Sequence, residues 1–513
     1  MKPAPERSTV LRRDLEDEGS RAVGAATFAA PPSLETVHNP ITYWAARTPK
    51  AMAIDDGSLR LSFEALGDLI DATSRSSPRP LAPAPVWVDD AGTPGEQLVS
   101  FLRILATGHA AAVGDPDWSP ELRRKVTDLL DASSTGAATS DVALPPDSFY
   151  VGFTSGSTGI PKGFVRSHRS WTSSFEACLE ALGPAVRTPL LAPGSLSHSL
   201  FLFGALMGLW SGAGVRLQSR FSASAALQTL RQGDARSLIA VPSQLILMLE
   251  HAHRHGPRAI EETQLVMIGG AQWPRARTPQ LQALFPNARI VEFYGASETS
   301  FIAWTDSRAD LPATAVGRPF ASVELRIDPV GGGGDGSPPD VSPGLIFVRS
   351  PMVFTDYVTP SLAHGATILR DGKWLSVGDM GHLDSDGLLH LVGRQQRMFV
   401  VQGKNLFPEE VEQVLTDHPS IATASVQAVP DAVRGMHAVA VLELIHPIDR
   451  ATLADWCRAR LEPYKTPRRF YVCIDWPRTT SGKTDHAALA RCLAAHPQGP
   501  ADWQALPWQL SNP

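Results

Sequence analysis

Cysteine is scarce in this chain, and no two cysteines are close in sequence. The 513 residues contain four of them, Cys178, Cys457, Cys473 and Cys492, and none forms a CxxC pair of the kind found in zinc and redox sites. A disulfide framework or a cysteine metal site is therefore not indicated. Buried thiols in a reducing compartment fit this pattern best, so we expect a cytoplasmic protein.

Long apolar runs and net positive charge are also missing. Residues 1–21 mix both charge signs with proline and lack the apolar core of a signal peptide. The most apolar stretch, Ser197 to Gly214, contains His198 and several glycines and is short for a membrane span, which predicts a buried helix. The formal net charge of -6 provides no general attraction for nucleic acid or acidic lipid. We therefore expect small-molecule partners, no nucleic acid and no membrane span.

The remaining composition is typical of a large globular protein. Hydrophobic residues make up 43% of the chain and charged residues 19%, and 513 residues are too many for a single core. From Ile41 onward, short apolar runs alternate with helical periodicity, which predicts the α/β class. We predict a polar leader over residues 1–40, a large N-terminal α/β domain over 41–394, a smaller α+β domain over 395–495 and a tail over 496–513.

The predicted domain boundary at Arg394 depends on the segment that follows it. "PEEVEQVLTDHP" (Pro408 to Pro419) has proline in its first turn, acidic residues beside it, and Val411 and Leu415 on one face, which predicts a helix. The glycine-rich stretch from Asp328 to Gly344 is interpreted as a flexible loop that need not separate domains.

Several apolar segments predict strands that end in small or polar residues. They are Phe149 to Phe153, Ser237 to Ser243, Gln264 to Ala271 and Ala288 to Glu298. Apolar residues at helical spacing over 171–182, stopped by Gly183, predict a helix, so that a glycine-rich loop lies between the first strand and this helix. Ligands of open α/β sheets bind at such carboxyl ends of strands.

The glycine-rich loop has the composition of a phosphate-binding segment. "YVGFTSGSTGIPKG" (Tyr150 to Gly163) combines glycines, whose backbone N–H groups can converge, with hydroxyl side chains and Lys162. It is not a Walker-type GxxxxGK[ST] loop, because Pro161 stands where that motif has glycine and Gly163 replaces its hydroxyl residue. Composition alone leaves both a polyphosphate cradle and a flexible surface loop open.

This loop and further blocks, in order along the chain, resemble the motifs of the adenylate-forming superfamily. That superfamily includes acyl-CoA synthetases, aryl-acid ligases, luciferases and the adenylation domains of peptide synthetases. The resemblance extends from about residue 40 to residue 493. Besides the glycine-rich loop, the matching blocks are "LSFEAL" (61–66), "GGAQWP" (269–274), "YGASET" (294–299), "GLIFVRS" (344–350), "SVGDMGHLDSDGLLHLVGR" (376–394) and "RTTSGK" (478–483).

The resemblance implies a reaction and its co-substrates. Members of the superfamily bring a carboxylate against the α-phosphate of ATP, form acyl-adenylate and pyrophosphate, and pass the acyl group to a thiol. ATP and Mg2+ are implied, with coenzyme A or a phosphopantetheinyl carrier as acceptor. Large N-terminal domains with layered sheets and mobile C-terminal domains are usual. The residues implied to bind the β- and γ-phosphates are Thr154, Ser155, Gly156, Ser157, Thr158, Gly159 and Lys162, of which Thr154 and Lys162 are also implied to be catalytic.

The other nucleotide contacts are implied in the same way. Glu298 matches the catalytic magnesium ligand, and Thr299 is expected to bond a phosphate oxygen. Asp379 is expected to accept hydrogen bonds from the ribose hydroxyls, and Arg394 to reach the same sugar or a phosphate. Taken alone, such acids and arginines are ordinarily surface charges. The residues implied to line the adenine slot are Gly270, Ala271, Gln272, Tyr294 and Gly295.

Lys483 matches the lysine that bridges the carboxylate and the α-phosphate, and its ammonium is expected to stabilise charge in the transition state. In the superfamily, the small domain that carries this lysine rotates after adenylation and admits the thiol. Alignment places the hinge at Gln396, where relatives usually have Asp or Lys. Gly403 is expected to border the thiol tunnel, although the surrounding segment departs from the pattern at Val400 and Gln402.

The acid is expected to be fatty or aryl and to lack an α-amine. Relatives that activate amino acids hold the amine with an aspartate in the buried helix, and Ser199 occupies that position here. His198 resembles a histidine beside the acyl pocket of CoA ligases, although a histidine at a helix start is as often structural. Phe203, Trp273 and Phe301 are candidates for the pocket wall or for the core.

Three basic residues, Lys465, Arg468 and Arg469, are candidates to meet the phosphates of coenzyme A or an acidic carrier helix, or are simply a solvated turn. We expect an acid–thiol ligase of the acyl-CoA synthetase kind. One alternative loads a carrier protein in trans. A third possibility, a nucleotide-binding regulatory protein without catalysis, is disfavoured by the presence of Glu298 and Lys483.

Overall fold

The computed structural model describes most of the chain, and all structural statements concern the residues it describes. These form a mixed α/β fold with a large N-terminal and a smaller C-terminal domain, which confirms the predicted fold class. The described residues are 9–10, 35–76, 80, 83–134, 144–154, 161–218, 220–256, 258–329, 343–358, 368–401, 404–431, 435–478, 484–495 and 504–505.

The secondary structure alternates short strands with helices over most of the large domain. In chain order the strands are β1 (Thr9–Val10), β2 (Met52–Asp55), β3 (Arg60–Ser62), β4 (Pro85–Trp87), β5 (Ala110–Ala112), β6 (Ser148–Thr154), β7 (Lys162–Ser167), β8 (Leu190–Ala192), β9 (Val215–Leu217), β10 (Ser237–Ala240), β11 (Leu265–Ile268), β12 (Arg289–Ala296), β13 (Ser300–Asp306), β14 (Ala315–Pro319), β15 (Glu324–Pro329), β16 (Gly344–Arg349), β17 (Asp356–Tyr357), β18 (Leu369–Asp371), β19 (Trp374–Ser376), β20 (Asp379–Leu383), β21 (Leu389–Arg394), β22 (Phe399–Val401), β23 (Lys404–Leu406), β24 (Ile421–Asp431), β25 (Gly435–Leu444), β26 (Arg469–Val472) and β27 (Gln504–Ala505). The helices are α1 (Asn39–Arg47), α2 (Phe63–Ser76), α3 (Pro94–Ala106), α4 (Pro120–Ser134), α5 (His168–Leu182), α6 (Ser199–Trp210), α7 (Ala223–Arg231), α8 (Pro242–Arg254), α9 (Thr278–Leu284), α10 (Pro408–Thr416), α11 (Arg450–Arg458) and α12 (His486–Ala495), with short 3-10 helices at Gly183–Arg187 and Arg275–Arg277.

The large domain is built on two sheets. Among the described residues, sixteen strands share one sheet with the order β1-β15-β16-β20-β21-β14-β13-β12-β11-β10-β8-β9-β2-β3, in which β19 also pairs with β16, and β18 pairs with β19. Three of its parallel neighbours, β10, β11 and β12, lie where apolar segments predict strands. The second sheet has the order β17-β7-β6-β5-β4. Because β10, β11 and β12 are parallel, their carboxyl ends lie at the same edge of the first sheet, and a ligand is expected at that edge.

The glycine-rich loop joins two antiparallel strands, so the prediction that it joins a strand to a helix is wrong. β6 pairs with β7, and α5 begins only after β7, at His168. The segment that forms β7, "KGFVRS", is too short for its periodicity to separate a strand from the start of a helix. Because of this pairing, Thr154 and Lys162 stand opposite each other at the base of the loop. Residues 155–160 lie outside the described part of the chain.

Helix α6 confirms the predicted buried helix. It is apolar on every side, and residues 201–210 are buried, as expected for a helix surrounded by protein. The helix packs against β8 and β9, and a Cβ on Gly208 would lie only 2.6 Å from the carbonyl oxygen of Gly214. Within the described residues, no helix has both the length and the apolar character needed to cross a membrane.

The C-terminal domain is a small α+β unit. β24, β25, β26 and β27 form a sheet, β22 and β23 form a hairpin, and α10, α11 and α12 complete the unit. Proline and two glutamates in its first turn favour the start of α10, and Val411 and Leu415 are fully buried, as predicted. Its core also contains Leu406, Leu453 and Cys457. The polypeptide passes from β21 to β22 through a turn at residues 395–398.

The chain ends are described only in part. The predicted leader over residues 1–40 extends into α1, which begins at Asn39, and Thr9–Val10 pairs with β15. Of the predicted tail, Gln504–Ala505 pairs with β26. The predicted loop from Asp328 to Gly344 falls between β15 and β16, and its residues 330–342 lie outside the described part.

Candidate active site

The candidate site is centred on the turn that follows β12. This strand runs antiparallel to β13, and a shift of register at Tyr294 and Gly295 lets the chain reverse within residues 296–300. A Cβ on Gly295 would lie 1.9 Å from the carbonyl oxygen of Ser300, so only glycine fits there. Ser300 has φ of 56°, a left-handed conformation that a serine rarely adopts. The turn is therefore fixed by close backbone contacts.

One side of this turn contacts Asp379. The hydroxyl of Tyr294 donates to Asp379 Oδ2 at 2.6 Å, and Arg394 Nε donates to Asp379 Oδ1 at 3.0 Å. Asp379 is almost fully buried, whereas the Arg394 side chain is 60% exposed. The ion pair joins register partners of β20 and β21. Burial and the charge of Asp379 raise the pKa of Tyr294 well above its ordinary value, which keeps its hydroxyl a donor. The structure thus brings three predicted nucleotide-binding residues together.

Tyr294→Phe should raise the KM for ATP about tenfold with little change in kcat, because a hydrogen bond to a charged group contributes about 1.5 kcal/mol or more. The aromatic ring remains, so only the orientation of Asp379 changes. Steady-state kinetics at saturating acid will measure the effect. Tyr43→Phe, a change in α1 that keeps the edge-on contact with Trp44, is the matched control. An unchanged KM for ATP in Tyr294→Phe would show that this hydroxyl is not required to orient Asp379.

The other side of the turn carries Glu298. The hydroxyl of Tyr357 donates to Glu298 Oε1 at 2.8 Å, and the backbone N–H of Phe354 donates to the Glu298 carbonyl at 2.7 Å. Burial lowers the pKa of the Lys162 ammonium, and the nearby charge of Glu298 opposes that shift. Lys162 is 8% exposed. The Glu298 carboxylate and the Lys162 ammonium, which separate motifs predict, therefore interact electrostatically.

Thr299 is bonded within the turn, and its bond to a phosphate oxygen stays a prediction. Its side chain is fully buried, its hydroxyl accepts from the backbone N–H of Ala296 at 3.0 Å, and it donates to the carbonyl of Ser300 at 3.2 Å. The threonine therefore stabilises the turn from inside. Sequence position alone cannot show on which side of a tight turn a hydroxyl points.

The segment after β11 is the candidate adenine-binding turn. Gly270, Ala271 and Gln272 are exposed, and Gly270 has φ of 82°. Gln272 Nε2 donates to the carbonyl of Ala313 at 2.5 Å. A Cβ on Gly270 would lie 3.2 Å from Val241, at the start of α8. This turn follows the strand next to β12, so it occupies the same edge of the sheet as Tyr294.

Aromatic residues lie behind the turn and around the start of α6. The Phe203 ring meets Phe301 edge-on with centroids 4.9 Å apart, and Phe301 meets Phe293 at 4.7 Å. His198 is the partly exposed N-cap residue of α6, and its ring contacts Phe201 at 6.3 Å. Ser199, the first residue of α6, is also partly exposed. The structure therefore brings Phe203 and Phe301 together, with His198 and Ser199 at the adjacent helix start.

Trp273 lies in a different core cluster from this aromatic group, which favours the core among the two roles that the sequence leaves open. It is 2% exposed, packs in a separate core cluster with Leu281 and Phe285, and donates through Nε1 to Thr278 Oγ1 at 2.9 Å. Its polar atom and its ring are both engaged within the core. The sequence around an aromatic residue beside a glycine-rich turn does not distinguish a residue of the pocket wall from a residue of the core.

The basic residues of the C-terminal domain differ in their surroundings. Lys465 is buried and binds Glu410 Oε1 at 2.7 Å and Glu462 Oε2 at 2.8 Å, so it is a structural residue of this domain. Arg468 and Arg469 are exposed. Gln396 is exposed in the turn between β21 and β22, and its role as a hinge stays a prediction. Lys483, Gly403 and the loop residues Ser155, Gly156, Ser157, Thr158 and Gly159 lie outside the described residues.

Two further residues contact this turn, and the sequence motifs do not indicate them. Tyr357 contacts the Glu298 carboxylate, and Arg166 is fully buried with its guanidinium bonded to the carbonyls of Ser297 and Met352. An arginine in a short strand is ordinarily exposed, and nothing local in "KGFVRS" indicates burial. Their partners are more than fifty residues away, so only the tertiary structure reveals them.

The residues present fit a magnesium ion that arrives with a nucleotide. Magnesium at phosphate sites is usually held by one or two carboxylates together with phosphate oxygens and water. Glu298 offers such a carboxylate, since among the described residues only one of its oxygens accepts a hydrogen bond. The described residues contain no group of three or more His, Cys, Asp or Glu that could hold a metal without such a substrate.

Comparisons with known proteins identify the family of the chain. The sequence model of the AMP-binding enzyme family matches residues 96–358, and that of the AMP-binding enzyme C-terminal domain matches 410–483. The uncharacterized acyl-CoA ligase YhfT of Bacillus subtilis is 36% identical over 371 residues, which are 72% of this chain and 73% of the relative. The 2-succinylbenzoate–CoA ligase of the same organism is 29% identical over 335 residues, 64% of this chain and 66% of the relative.

Solved structures share the fold. The O-succinylbenzoate coenzyme A synthetase of Bacillus subtilis, in complex with ATP and a magnesium ion, aligns with a TM-score of 0.72 at 24% identity and covers 88% of this chain and 99% of its own. The family matches and the relatives agree with the resemblance that the sequence motifs indicate. The chain belongs to the AMP-binding enzyme family of the adenylate-forming superfamily and is an enzyme of the acyl-CoA ligase type.

Proposed function

We propose that the protein uses ATP and Mg2+ to convert a fatty or aryl carboxylic acid into its acyl-adenylate and then transfers the acyl group to the thiol of coenzyme A. The observation that carries this proposal is the position of one turn. Tyr294, at its start, donates a hydrogen bond to Asp379, and the charge of Glu298, four residues later, acts on the Lys162 ammonium. A single segment thus reaches from a ribose-binding acid to a phosphate-binding cation.

At the sugar end, Asp379 has the chemistry to accept hydrogen bonds from two vicinal hydroxyls. Its two oxygens currently accept from Tyr294 and Arg394, and each oxygen has a second lone pair for a ribose hydroxyl. Arg394 is largely exposed, so its remaining N–H donors are available to the sugar or to a phosphate. Gly270, Ala271, Gln272 and Gly295 supply the exposed backbone for the adenine.

At the phosphate end, the attacking carboxylate and the α-phosphate are both anions, so positive charge must be concentrated between them. Lys162 and Thr154, facing each other at the base of the glycine-rich loop, hold the β- and γ-phosphates and the departing pyrophosphate. When bound, magnesium at Glu298 neutralises phosphate charge and stabilises the developing negative charge. Lys483 then supports the same transition state through its ammonium.

The acid enters beside α6. No carboxylate lies on this helix to pair with an α-amine, since its twelve residues contain no Asp or Glu. Phe203 and Phe301 provide an apolar wall, and His198 and Ser199 are the adjacent polar groups. This combination supports an apolar acid over an amino acid. The comparison with a ligase of an aryl-substituted acid, 2-succinylbenzoate, agrees with that class.

Coenzyme A is the favoured acceptor because the curated relatives are CoA ligases. A small cavity lies beside the β22–β23 hairpin, and Val401, Tyr464 and Arg468 are among its lining residues. We propose that pantetheine passes this hairpin after the C-terminal domain turns about Gln396. Exposed Arg468 and Arg469 are suited to meet the phosphates of the acceptor.

The test is ATP–pyrophosphate exchange across a panel of fatty, aryl and amino acids. We expect exchange with at least one fatty or aryl acid and none with amino acids. Nucleotide binding without exchange for any acid would instead support a regulatory protein. With the best acid, coenzyme A and a phosphopantetheinylated carrier are then offered side by side. Faster acyl transfer to the carrier would replace the CoA assignment with the carrier-loading alternative.

A further inference from the structure

We propose that Arg166 and Tyr357 are positioning residues that together hold the turn of Glu298, and its carboxylate, in place before the nucleotide binds. This inference rests on the proposed function, because it assigns a role toward the metal–nucleotide complex. It adds two residues to the site that neither the sequence motifs nor the comparisons assign.

The contacts of Arg166 gather separate parts of the chain around the turn. Nη1 donates to the Ser297 carbonyl at 3.0 Å and lies 3.5 Å from the Glu298 carbonyl, and Nη2 donates to the Met352 carbonyl at 2.5 Å. Nη2 also donates to Ser300 Oγ. One guanidinium therefore bonds to Ser297 and Ser300 of the turn and also to Met352, in the segment that precedes β17.

Arg166 is buried without a partner carboxylate. It is 0% exposed, and among the described residues no Asp or Glu lies within ion-pair distance of it. Burial lowers its pKa to about 9, with Glu298 and Tyr150 opposing the shift. Burying an arginine costs more free energy than burying an apolar side chain of similar size, so space-filling alone does not explain Arg166. Its planar fork of donors, in contrast, matches several carbonyl oxygens at once.

The turn that Arg166 holds has a strained backbone. Of the described residues, Ser300 alone among those other than glycine has a positive φ, and its side chain bonds to Arg166. The carbonyl of Ser300 also approaches Gly295 so closely that a Cβ would not fit. A strained conformation persists only where surrounding contacts fix it. Arg166 supplies such contacts through its bonds to the Ser297 carbonyl and to Ser300 Oγ.

Tyr357 fixes the position of the Glu298 side chain. Its ring is 8% exposed, and its hydroxyl donates to Glu298 Oε1, which leaves the second carboxylate oxygen for a cation. β17, which carries Tyr357, pairs with β7, and Tyr357 stands opposite Phe164. β7 in turn carries Arg166 and begins at Lys162. Both positioning residues thus belong to the sheet that also bears the base of the glycine-rich loop.

The central experiment compares nucleotide binding with and without Mg2+. Isothermal titration with the α,β-methylene analogue of ATP is run on the intact protein and on Tyr357→Phe, with Tyr43→Phe as the matched control. In Tyr357→Phe we expect the gain in affinity provided by Mg2+ to fall about tenfold, while binding without Mg2+ is unchanged. A merely structural loss would weaken both equally. Equal Mg2+ dependence in Tyr357→Phe and the parent overturns the positioning role.

Arg166→Lys provides a second, independent test, with Arg169→Lys, an exposed change at the start of α5, as its control. Lysine keeps the charge but cannot bond all the acceptors, so backbone amides of residues 296–300 should exchange hydrogen faster and the Mg2+ gain should fall. Unchanged exchange there would contradict the role of Arg166. If the parent protein itself gains no affinity from Mg2+, the proposed function fails along with this inference, and the parent titration alone identifies that outcome.

Discussion

Lys483→Ala should slow acyl-adenylate formation by about a thousandfold while ATP affinity changes by less than about threefold. The reason is that an ammonium placed between the carboxylate and the α-phosphate stabilises charge that develops only in the transition state. Lys483 lies outside the described residues, so this prediction depends on the "RTTSGK" block and on the C-terminal family match, which ends at residue 483. Single-turnover kinetics with the best acid, combined with titration of ATP, separates chemistry from binding.

Lys373→Ala is the matched control for this prediction, because Lys373 is exposed and lies in the turn between β18 and β19. It should behave like the parent protein in both measurements. Transfer from chemically prepared acyl-adenylate to the thiol should also survive in Lys483→Ala, since the lysine acts in the first half-reaction. Parent-like adenylation in Lys483→Ala would remove this lysine from the proposed mechanism.

Glu298→Gln should lower kcat for adenylation about a hundredfold and raise the Mg2+ concentration needed for half-maximal rate. Glutamine has nearly the same shape and still accepts from the Tyr357 hydroxyl, and the bonds of Arg166 go to backbone carbonyls that the substitution keeps. The fold of the turn should therefore persist, and only the charge that holds the metal is lost. Initial rates of pyrophosphate exchange over a range of Mg2+ concentrations measure the effect.

The control for Glu298→Gln is Glu250→Gln, which removes an exposed carboxylate from α8. Its Mg2+ dependence should match that of the parent. A lower kcat in Glu298→Gln without any shift in Mg2+ dependence would mean that the carboxylate acts in another way. Thermal unfolding of Glu250→Gln should coincide with the parent, whereas Glu298→Gln should unfold at a slightly lower temperature, because the charge of Glu298 also favours the charged forms of Lys162 and Arg166.

The sequence predicted those parts of the fold that local pattern determines. Apolar runs indicated β10, β11 and β12, the apolar stretch around α6 indicated a buried helix, and proline with two glutamates indicated the start of α10. Segment β7 was missed because six residues carry too little periodicity to distinguish a strand from a helix start. The antiparallel hairpin that places Thr154 opposite Lys162 therefore emerged only from the structure.

At the site, residue types were predictable and side-chain directions were not. The motifs indicated Tyr294, Glu298, Asp379 and Arg394, and the structure brings Tyr294, Asp379 and Arg394 into contact. Thr299 and Trp273 belong to matching blocks but point into the turn and into a core. Thr299 bonds to backbone groups of the turn, and Trp273 bonds to Thr278 in the core, so contacts with other residues determine both side-chain directions.

Lys465 and Arg166 illustrate the same limit for charged residues. Both look like surface cations in the sequence, yet Lys465 is buried between Glu410 and Glu462, and Arg166 is buried against backbone carbonyls. Distant partners, Glu410 for Lys465 and the carbonyls of Ser297 and Met352 for Arg166, help to compensate the cost of burying each charge. These distant partners cannot be inferred from one sequence, because their separation along the chain carries no local pattern.

The most direct test of acyl-adenylate formation follows the oxygen of the acid. The best acid of the panel is labelled with 18O in its carboxylate and converted to product with ATP and thiol. Attack of the carboxylate on the α-phosphorus, followed by attack of the thiol on the acyl carbon, leaves one labelled oxygen on AMP. We predict AMP that carries one 18O atom per turnover. Unlabelled AMP, or label in inorganic phosphate instead, would contradict an acyl-adenylate intermediate.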